Sequence, residues 1–167
     1  CAELFKRAKG AGLTTSFDPG WDPQEEWTED IMEVLRNVDV FLPNEQEALN
    51  ISDRKTVDEA LAELGSYSQV AVIKQGEEGV TCLADERIIR VRTYRVEPVD
   101  TTGAGDSFNA GFLNEWLQGS DIRQCLKAGA ACGALATTKM GGATASPTME
   151  ELKQFLASHE HEDIFGN

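Results

Sequence analysis

Short apolar segments alternate with helix-like segments through the first half of this chain, and this alternation restricts the possible folds more than any other feature. Three segments predict strands: Leu13–Asp18, 38-VDVFLP-43 and 69-QVAVIK-74, the last of which is predicted to be buried. Helical spacing lies between them, over Gln24–Asn37, over 45-EQEALNI-51 and from Val57 to Leu64. Strands that alternate with helices predict an α/β fold with a mainly parallel sheet covered by helices.

The pattern changes after the third strand. The segments 79-GVTCLA-84 and 87-RIIRVRT-93 predict a hairpin joined through Asp85 and Glu86. Three helices are predicted to follow it: a first with an apolar stripe from Phe108 to near Gly119, a second over Asp121–Lys139, and a third over Thr148–Ser158.

Three polar residues stand where predicted parallel strands end: Asp18, Asn44 and Lys74. In open α/β sheets, ligands bind at the carboxyl ends of the strands. We therefore expect these side chains near a ligand, although Asp18 is not assigned a catalytic role. Asn44 also precedes a helix, so an N-cap is its alternative function.

Composition narrows the classes of partner. A net charge of −14 argues against general affinity for nucleic acid or an anionic membrane, because both require basic patches. The acidic segments 22-DPQEEWTED-30 and 159-HEHED-163 are interpreted as solvated surface, with metal binding by the second a less favoured alternative. No apolar run approaches the roughly 20 residues that span a bilayer.

The four cysteines, Cys1, Cys82, Cys125 and Cys132, form no C-x-x-C pair. Buried free thiols in a reducing cytosol are the favoured interpretation, so we expect a cytoplasmic protein. The first twelve residues resemble the tail of a helix ended by Gly10 and Gly12. We expect these residues to continue a missing segment.

The segment 100-DTTGAGDSF-108 carries the strongest chemical signal. Glycines at a helix N-terminus allow several N–H groups to point at one anion, and the helix dipole adds to their effect. The segment lacks the Lys of a P-loop, and Phe108 replaces the third glycine of a dinucleotide fingerprint. On these residues alone, an Asp-bearing helix after a glycine turn stays open as a structural alternative.

The longer string 99-VDTTGAGDSFNAGF-112 resembles the second signature of the ribokinase, or PfkB, family of carbohydrate kinases. Further resemblances follow the order of that family: 43-PNEQEA-48, 72-VIKQGEEGV-80 and 129-GAACGALATTKMGGATASP-147. They imply a ribokinase-like, mainly parallel sheet flanked by helices. Residues 1–167 would be the C-terminal part of a single domain whose N-terminal half and lid are missing.

The resemblance implies an ATP-dependent transfer of a phosphoryl group to a sugar hydroxyl. Asp106 would face that hydroxyl, and Gly103, Ala104 and Gly105 would supply anion-binding amides. Residues implied to contact the nucleotide are Lys74, Gly76, Gly79, Ala130, Gly133 and Gly142. The family's frequent polar residue near position 130 is Ala130 here, so adenine recognition would be apolar or through the backbone.

Two cation sites are also implied. Asn44 and Glu47 would hold Mg²⁺, directly or through water; the alternative is a capping box between them. Asp100 and Thr102 would contribute to a monovalent cation site, with K⁺ as the expected ion, together with carbonyl groups of Met140–Ser146. The alternative is that Asp100 and Thr102 only brace the turn.

Other functions stay open at this point. A non-catalytic nucleotide-binding module is disfavoured by the intact Asp106, and a nicotinamide-dependent oxidoreductase by Phe108. The expected partners are ATP and a small sugar, with a homodimer for the full-length protein, and the fragment alone is expected to be inactive. The sequence does not identify the sugar, and ribose, fructose, 2-keto-3-deoxygluconate and nucleosides are all candidates.

Overall fold

The computed structural model describes residues 1–20 and 29–166, except for the side chains of Glu29 and Asp30. Trp27 and most of the acidic segment 22–30 therefore lie outside the described residues. The chain divides into two compact units, the first formed by Cys1–Gln75 with Thr81–Ile89, and the second by Gly76–Val80 with the chain from Arg90 onward. That residues 1–167 belong to one domain stays a prediction.

The first unit contains most of the sheet. The strands are β1 (Ser16–Phe17), β2 (Val40–Phe41), β3 (Val70–Lys74), β4 (Val80–Ala84) and β5 (Arg87–Val91). They follow one another across the sheet in chain order. β2 pairs in parallel with β1 and with β3, which confirms the predicted parallel sheet. Asp85 and Glu86 connect β4 to β5 with positive φ angles of 49° and 60°, as a tight hairpin turn requires.

Four helices accompany these strands: α1 (Ala2–Gly10), α2 (Glu29–Leu35), α3 (Glu45–Ser52) and α4 (Val57–Leu64). Leu35, Phe41, Leu61 and Ile73 belong to one buried apolar cluster, which joins α2 and α4 to the sheet. The apolar residues of α2 and α4 recur at helical spacing because one face of each helix packs against the strands. The core therefore holds the carboxyl ends of β1, β2 and β3 in a fixed relation.

The second unit is mainly helical, with α5 (Ala104–Leu117), α6 (Ile122–Thr137) and α7 (Met149–Ser158), and a short 3₁₀ turn over Gly142–Ala145. α5 and α6 pack closely because glycine lies at their contact. A Cβ atom added to Gly111 would lie 2.7 Å from the Cys132 sulfur. No helix in the described part of the chain has the length and apolar character that crossing a bilayer requires.

The residues after α7 pack against other parts of the second unit. Phe165 forms an antiparallel bridge with Val91, Ile164 is buried, and the Arg123 guanidinium lies 3.9 Å from the centre of the Phe165 ring. Glu160 and Asp163 are exposed, in agreement with the predicted solvated acids. The segment is therefore anchored by its apolar residues, while these two acids face solvent.

The cysteine prediction is confirmed at three positions of four. Cys82, Cys125 and Cys132 are buried free thiols, whereas Cys1 is exposed. Cys1 precedes α1, and no residue of that helix is buried, so the helix offers it no apolar cover. Burial raises the pKa of the Cys125 and Cys132 thiols to about 11, which makes them poor nucleophiles.

Candidate active site

The N-terminus of α5 is formed by the glycine turn. Gly103 is the N-cap residue with φ 75°, a left-handed angle that glycine adopts without strain, and the helix begins at Ala104. Because Gly103 has no side chain, it cannot cap the first helical turn. The Ala104 amide donates to the Thr101 carbonyl at 3.2 Å, whereas the geometry of a helix gives the Gly105 and Asp106 amides no intrahelical acceptor.

Asp106 is exposed in the first turn of α5. The glycine turn thus forms a helix start with an exposed acid, in which the Ala104 amide is already used by the turn; anion binding by the amides stays a prediction. The next residue, Ser107, is buried and its hydroxyl lies 2.8 Å from that of Ser146. This contact holds the start of α5 against the segment that follows the 3₁₀ turn.

Gly142 forms one side of the glycine turn. A Cβ atom on Gly103 would lie 3.1 Å from the carbonyl carbon of Gly142, and one on Gly142 would lie 3.3 Å from the Thr102 methyl carbon. Gly142 has φ 53°. Both glycines are therefore required for the two backbone segments to approach each other, and the predicted nucleotide contact of Gly142 would be made beside this approach.

Asp100 links the same two segments. Its carboxylate accepts from the Thr102 amide at 2.9 Å and from the Gly141 amide at 3.2 Å. These bonds to Thr102 and Gly141 hold the pKa of the Asp100 carboxyl below its ordinary value. The bracing function is thus present in the geometry, and a function of Asp100 and Thr102 in cation binding stays a prediction.

Ala130 and Gly133 lie on α6, where the structure offers a packing reason for small residues. Ala130 is buried. A Cβ atom on Gly133 would lie 3.3 Å from the Ala104 carbonyl oxygen at the start of α5. A larger residue at position 133 would therefore displace the glycine turn, and nucleotide contacts by Ala130 and Gly133 stay predictions.

Gly76 and Gly79 differ in their surroundings. Both have positive φ, 59° and 94°. An added Cβ on Gly79 would lie 2.0 Å from the Val91 carbonyl oxygen, whereas one on Gly76 would meet no atom within 4 Å. Gly79 is therefore glycine because the chain's own backbone packs against it, and only Gly76 leaves room for a ligand to approach.

The strand ends of the first unit bring Asp18, Asn44 and Lys74 together. Asn44 and Lys74 form a parallel bridge beyond β2 and β3, and the Lys74 amide donates to the Pro43 carbonyl at 2.9 Å. The Lys74 ammonium lies 2.6 Å from an Asp18 carboxylate oxygen. The three residues thus lie together at the carboxyl ends of the strands, and their nearness to a ligand stays a prediction.

Asn44 and Glu47 form a reciprocal cap on α3. The Asn44 side-chain oxygen accepts from the Glu47 amide at 2.9 Å, and Glu47 Oε2 accepts from the Asn44 amide at 2.8 Å. The Glu47 side chain is buried. Burial raises the pKa of its carboxyl, and the Asp18 charge adds to this effect, while the Asn44 amide and the Lys74 charge oppose it.

The sequence model of the pfkB family of carbohydrate kinases matches residues 1–149. The chain belongs to this family. An uncharacterized sugar kinase of Archaeoglobus fulgidus is 38% identical over 136 residues, which cover 80% of this chain and 54% of that protein.

Solved structures of the same fold agree with the membership in the pfkB family. A putative ribokinase II of E. coli in complex with ATP and Mg²⁺ superposes with a TM-score of 0.84 at 28% identity, over 94% of this chain and 53% of that one. A fructokinase variant of Vibrio cholerae O395 in fructose-, ADP- and potassium-bound form superposes with a TM-score of 0.83 at 29% identity. The match covers 92% of this chain and 54% of that one. The chain thus spans about half the length of these relatives.

The oxygen ligands that this chain offers fit a hydrated Mg²⁺ better than a metal ion coordinated entirely by protein side chains. Among the described residues, no group of three or more His, Cys, Asp or Glu side chains is placed to hold a metal ion. Mg²⁺ commonly keeps several waters and uses one or two carboxylates. The oxygens of Asn44 and Glu47 suit that chemistry, and their mutual cap favours contact through water.

The pairing of Asp18 with Lys74 was not predicted from the sequence. The two residues are 56 positions apart, and no local pattern connects them. The available signal was their shared place at the ends of parallel strands, which predicts proximity but not an ion pair. Periodicity therefore located the cluster, and only the fold identified the partners.

Proposed function

We propose that the complete protein is an ATP-dependent sugar kinase, which transfers the γ-phosphoryl group of ATP to a sugar hydroxyl. The observation that supports this proposal best is the exposed Asp106 in the first turn of a helix that begins at a glycine without a side-chain cap. An acid and amides so placed suit a hydroxyl acceptor and a transferring phosphoryl group.

Asp106 would orient the sugar hydroxyl and accept its proton late in the transfer. A carboxylate is a weak base at neutral pH, but phosphoryl transfer passes through a loose transition state that does not require early deprotonation. The Gly105 and Asp106 amides, with the positive end of the α5 dipole, would stabilise charge on the transferring group. Gly103 and Ala104 would shape the turn that presents these amides.

In the first unit, Asn44 and Glu47 would hold Mg²⁺ through water, and Lys74 would neutralise phosphate charge. Bound Mg²⁺ supplies a positive charge that offsets negative charge on the phosphate groups. Gly76 would allow the nucleotide to approach the backbone, since nothing lies within 4 Å of its missing side chain. A cytoplasmic location and a homodimer of the complete protein remain parts of this proposal.

Asp100 and Thr102 would support a monovalent cation beside the glycine turn. The potassium ion bound to the V. cholerae fructokinase variant supports testing this site. Turnover of the complete gene product should be higher in K⁺ than in tetramethylammonium of equal ionic strength. Equal rates in the two salts would argue that Asp100 only braces the turn.

The test of the main proposal is a panel of sugars and nucleosides offered to the complete gene product with ATP and Mg²⁺, with ADP release as the readout. ADP release that requires one sugar, with phosphorylated sugar as product, is the expected result. The panel should include fructose, ribose and 2-keto-3-deoxygluconate. The 167-residue chain alone is expected to show no turnover.

A non-catalytic nucleotide-binding module is the competing function. It predicts ATP binding by the complete gene product without ADP release on any sugar. The exposed Asp106 favours the kinase, because a module without catalysis gains nothing from an acid beside a bound phosphate, where like charges repel. A nicotinamide-dependent oxidoreductase is disfavoured by the membership in a carbohydrate kinase family.

A further inference from the structure

Asp18, which forms an ion pair with Lys74, has no part in the phosphoryl transfer described above. The two charged atoms are 2.6 Å apart, and the Lys74 side chain is only 12% exposed against 31% for Asp18. Asp18 itself is an exposed residue, so only the Lys74 end of this charge-assisted contact is shielded from water.

The backbone of Lys74 is fixed independently of this pair. Its amide donates to the Pro43 carbonyl at 2.9 Å, and the residue forms a parallel bridge with Asn44. The side chain beyond it has four methylene groups and large rotamer freedom. The position of the charge thus depends on what the ammonium contacts, and not on the strand.

The ion pair is electrostatically coupled to the cap of α3. The charge of Asp18 and the charge of Lys74 act on the buried Glu47 carboxyl in opposite directions. The carboxylates of Asp18 and Glu47 and the ammonium of Lys74 act on one another here, so the strand end becomes more negative if the ammonium leaves it. A polyanion such as a nucleotide phosphate would be repelled by the acids alone.

We propose that Asp18 is a positioning residue that acts through Lys74: its carboxylate fixes one donor of the ammonium, so that the cation stays beside the Asn44–Glu47 cap and meets the nucleotide phosphates there. This inference rests on the proposed function, because that function supplies the phosphates.

A purely structural ion pair is the competing explanation, and a double-mutant cycle separates the two. If Asp18 acts through Lys74, Asp18→Asn should weaken ATP binding in the wild-type background and have no effect in a Lys74→Met background. If Asp18 acts on the phosphates directly, its removal from the Lys74→Met background should strengthen ATP binding, since a repelling charge is lost.

The experiment measures ATP and adenosine binding to the complete gene product by calorimetry, without sugar. We expect Asp18→Asn to weaken ATP binding about two- to tenfold, the range for ordering one long side chain. Adenosine has no phosphate, so its affinity should not change. Glu63→Gln breaks the exposed Arg54–Glu63 pair in the same unit and should leave both affinities unchanged.

Equal effects of Asp18→Asn in the two backgrounds, or an equal loss of adenosine binding, would overturn the inference. If Asp18→Asn does not fold, Asp18→Glu keeps the charge on a longer side chain and should show the same pattern at smaller amplitude. If wild type binds ATP but phosphorylates no sugar, the kinase proposal fails while the cycle still decides the function of Asp18. If wild type binds no ATP, both fail.

Discussion

Two helices of this protein begin in opposite ways. α3 begins with a reciprocal cap in which Asn44 and Glu47 satisfy each other's backbone amides. α5 begins at Gly103, which has no side chain, and presents an exposed acid in its first turn. The polar groups of the first N-terminus bond to each other, whereas Gly103 provides no side-chain cap for the Gly105 and Asp106 amides of the second.

The difference is one reason for which we propose a ligand at the start of α5. A side-chain cap stabilises a helix by about 0.5–2 kcal/mol, and α5 does without it. The amides left at such an end bind anions. The start of α1 also has no side-chain cap, but only the uncapped start of α5 lies within the segment that resembles the family signature. We therefore propose the chemistry for α5 and a supporting function for the α3 cap.

The largest effect should come from Asp106→Asn in the complete gene product. Loss of the proton acceptor should lower kcat by about 10²–10⁴-fold, while ATP binding stays nearly unchanged because the amides remain. The two quantities can be measured by ADP release and calorimetry. Asp58→Asn removes an exposed acid from the first turn of α4 and controls for the helix dipole. Turnover of Asp106→Asn within about tenfold of wild type would contradict the function given to the acid.

A smaller effect is expected when a methyl group is added to Gly103 at the uncapped start of α5. Gly103→Ala should lower the free energy of unfolding by about 1–2 kcal/mol because φ is positive. A further loss should arise because its Cβ would lie 3.1 Å from Gly142. ATP affinity should fall as well, because the turn that presents the amides must shift.

Gly119→Ala is the matched control for this change. Gly119 has φ 77°, close to the 75° of Gly103, but an added Cβ would meet no atom within 4 Å. It should lose only the backbone contribution and bind ATP normally. Equal losses of stability and ATP affinity in the two variants would show that the close contact between Gly142 and Gly103 does not contribute to ATP binding.

Local patterns in the sequence predicted the capped helix well. Asn44 before 45-EQEALNI-51 indicated α3, and Asp85–Glu86 indicated the hairpin, because caps and turns depend on neighbouring residues. The uncapped end was also visible, as glycines followed by an acid. α5 begins at Ala104, before the apolar stripe at Phe108 and within the glycine turn where a helix N-terminus was predicted.

Contacts between distant residues could not be predicted. Gly79 was interpreted as a place for ligand approach, but the Val91 backbone fills that place. The bridge between Val91 and Phe165 likewise joins residues that no periodic pattern relates. In each case the packing partner is set by tertiary structure, which local patterns do not contain.

The capped end can be tested by separating its two possible functions. Asn44→Ala should lower the free energy of unfolding by about 0.5–2 kcal/mol, since the cap is lost. Asn44→Ser keeps a capping oxygen, so thermal melting should stay near wild type, while the Mg²⁺ concentration for half-maximal turnover should rise. Thr148→Ala removes the cap of α7 and controls for cap loss alone. If Asn44→Ser retains both melting temperature and Mg²⁺ response, Asn44 is only a cap.

The smallest effect should distinguish the capping boxes of α3 and α7 by their response to pH. Glu47 and Glu151 occupy the same position in their caps. Burial raises the pKa of the Glu47 carboxyl, whereas the Lys139 ammonium and Thr148 lower the pKa of Glu151 to about 2. A carboxyl whose pKa in the folded protein is raised above the ordinary value of 4.5 destabilises the fold at pH values above 4.5. A carboxyl whose pKa in the folded protein is lowered stabilises the fold at those pH values.

At neutral pH, Glu151→Gln should therefore lower the melting temperature, whereas Glu47→Gln should keep or slightly raise it. The Glu151→Gln deficit should disappear as the pH falls from about 4.5 to about 2, because wild type then loses the same stabilisation. The Glu47→Gln advantage should disappear as the pH falls towards 4.5, where the buried carboxyl of wild type takes up its proton. A Glu47→Gln variant that melts well below wild type at neutral pH would mean that the α3 cap needs the charge. The buried acid would then be primarily structural, and the case for it as a partner of hydrated Mg²⁺ would be weaker.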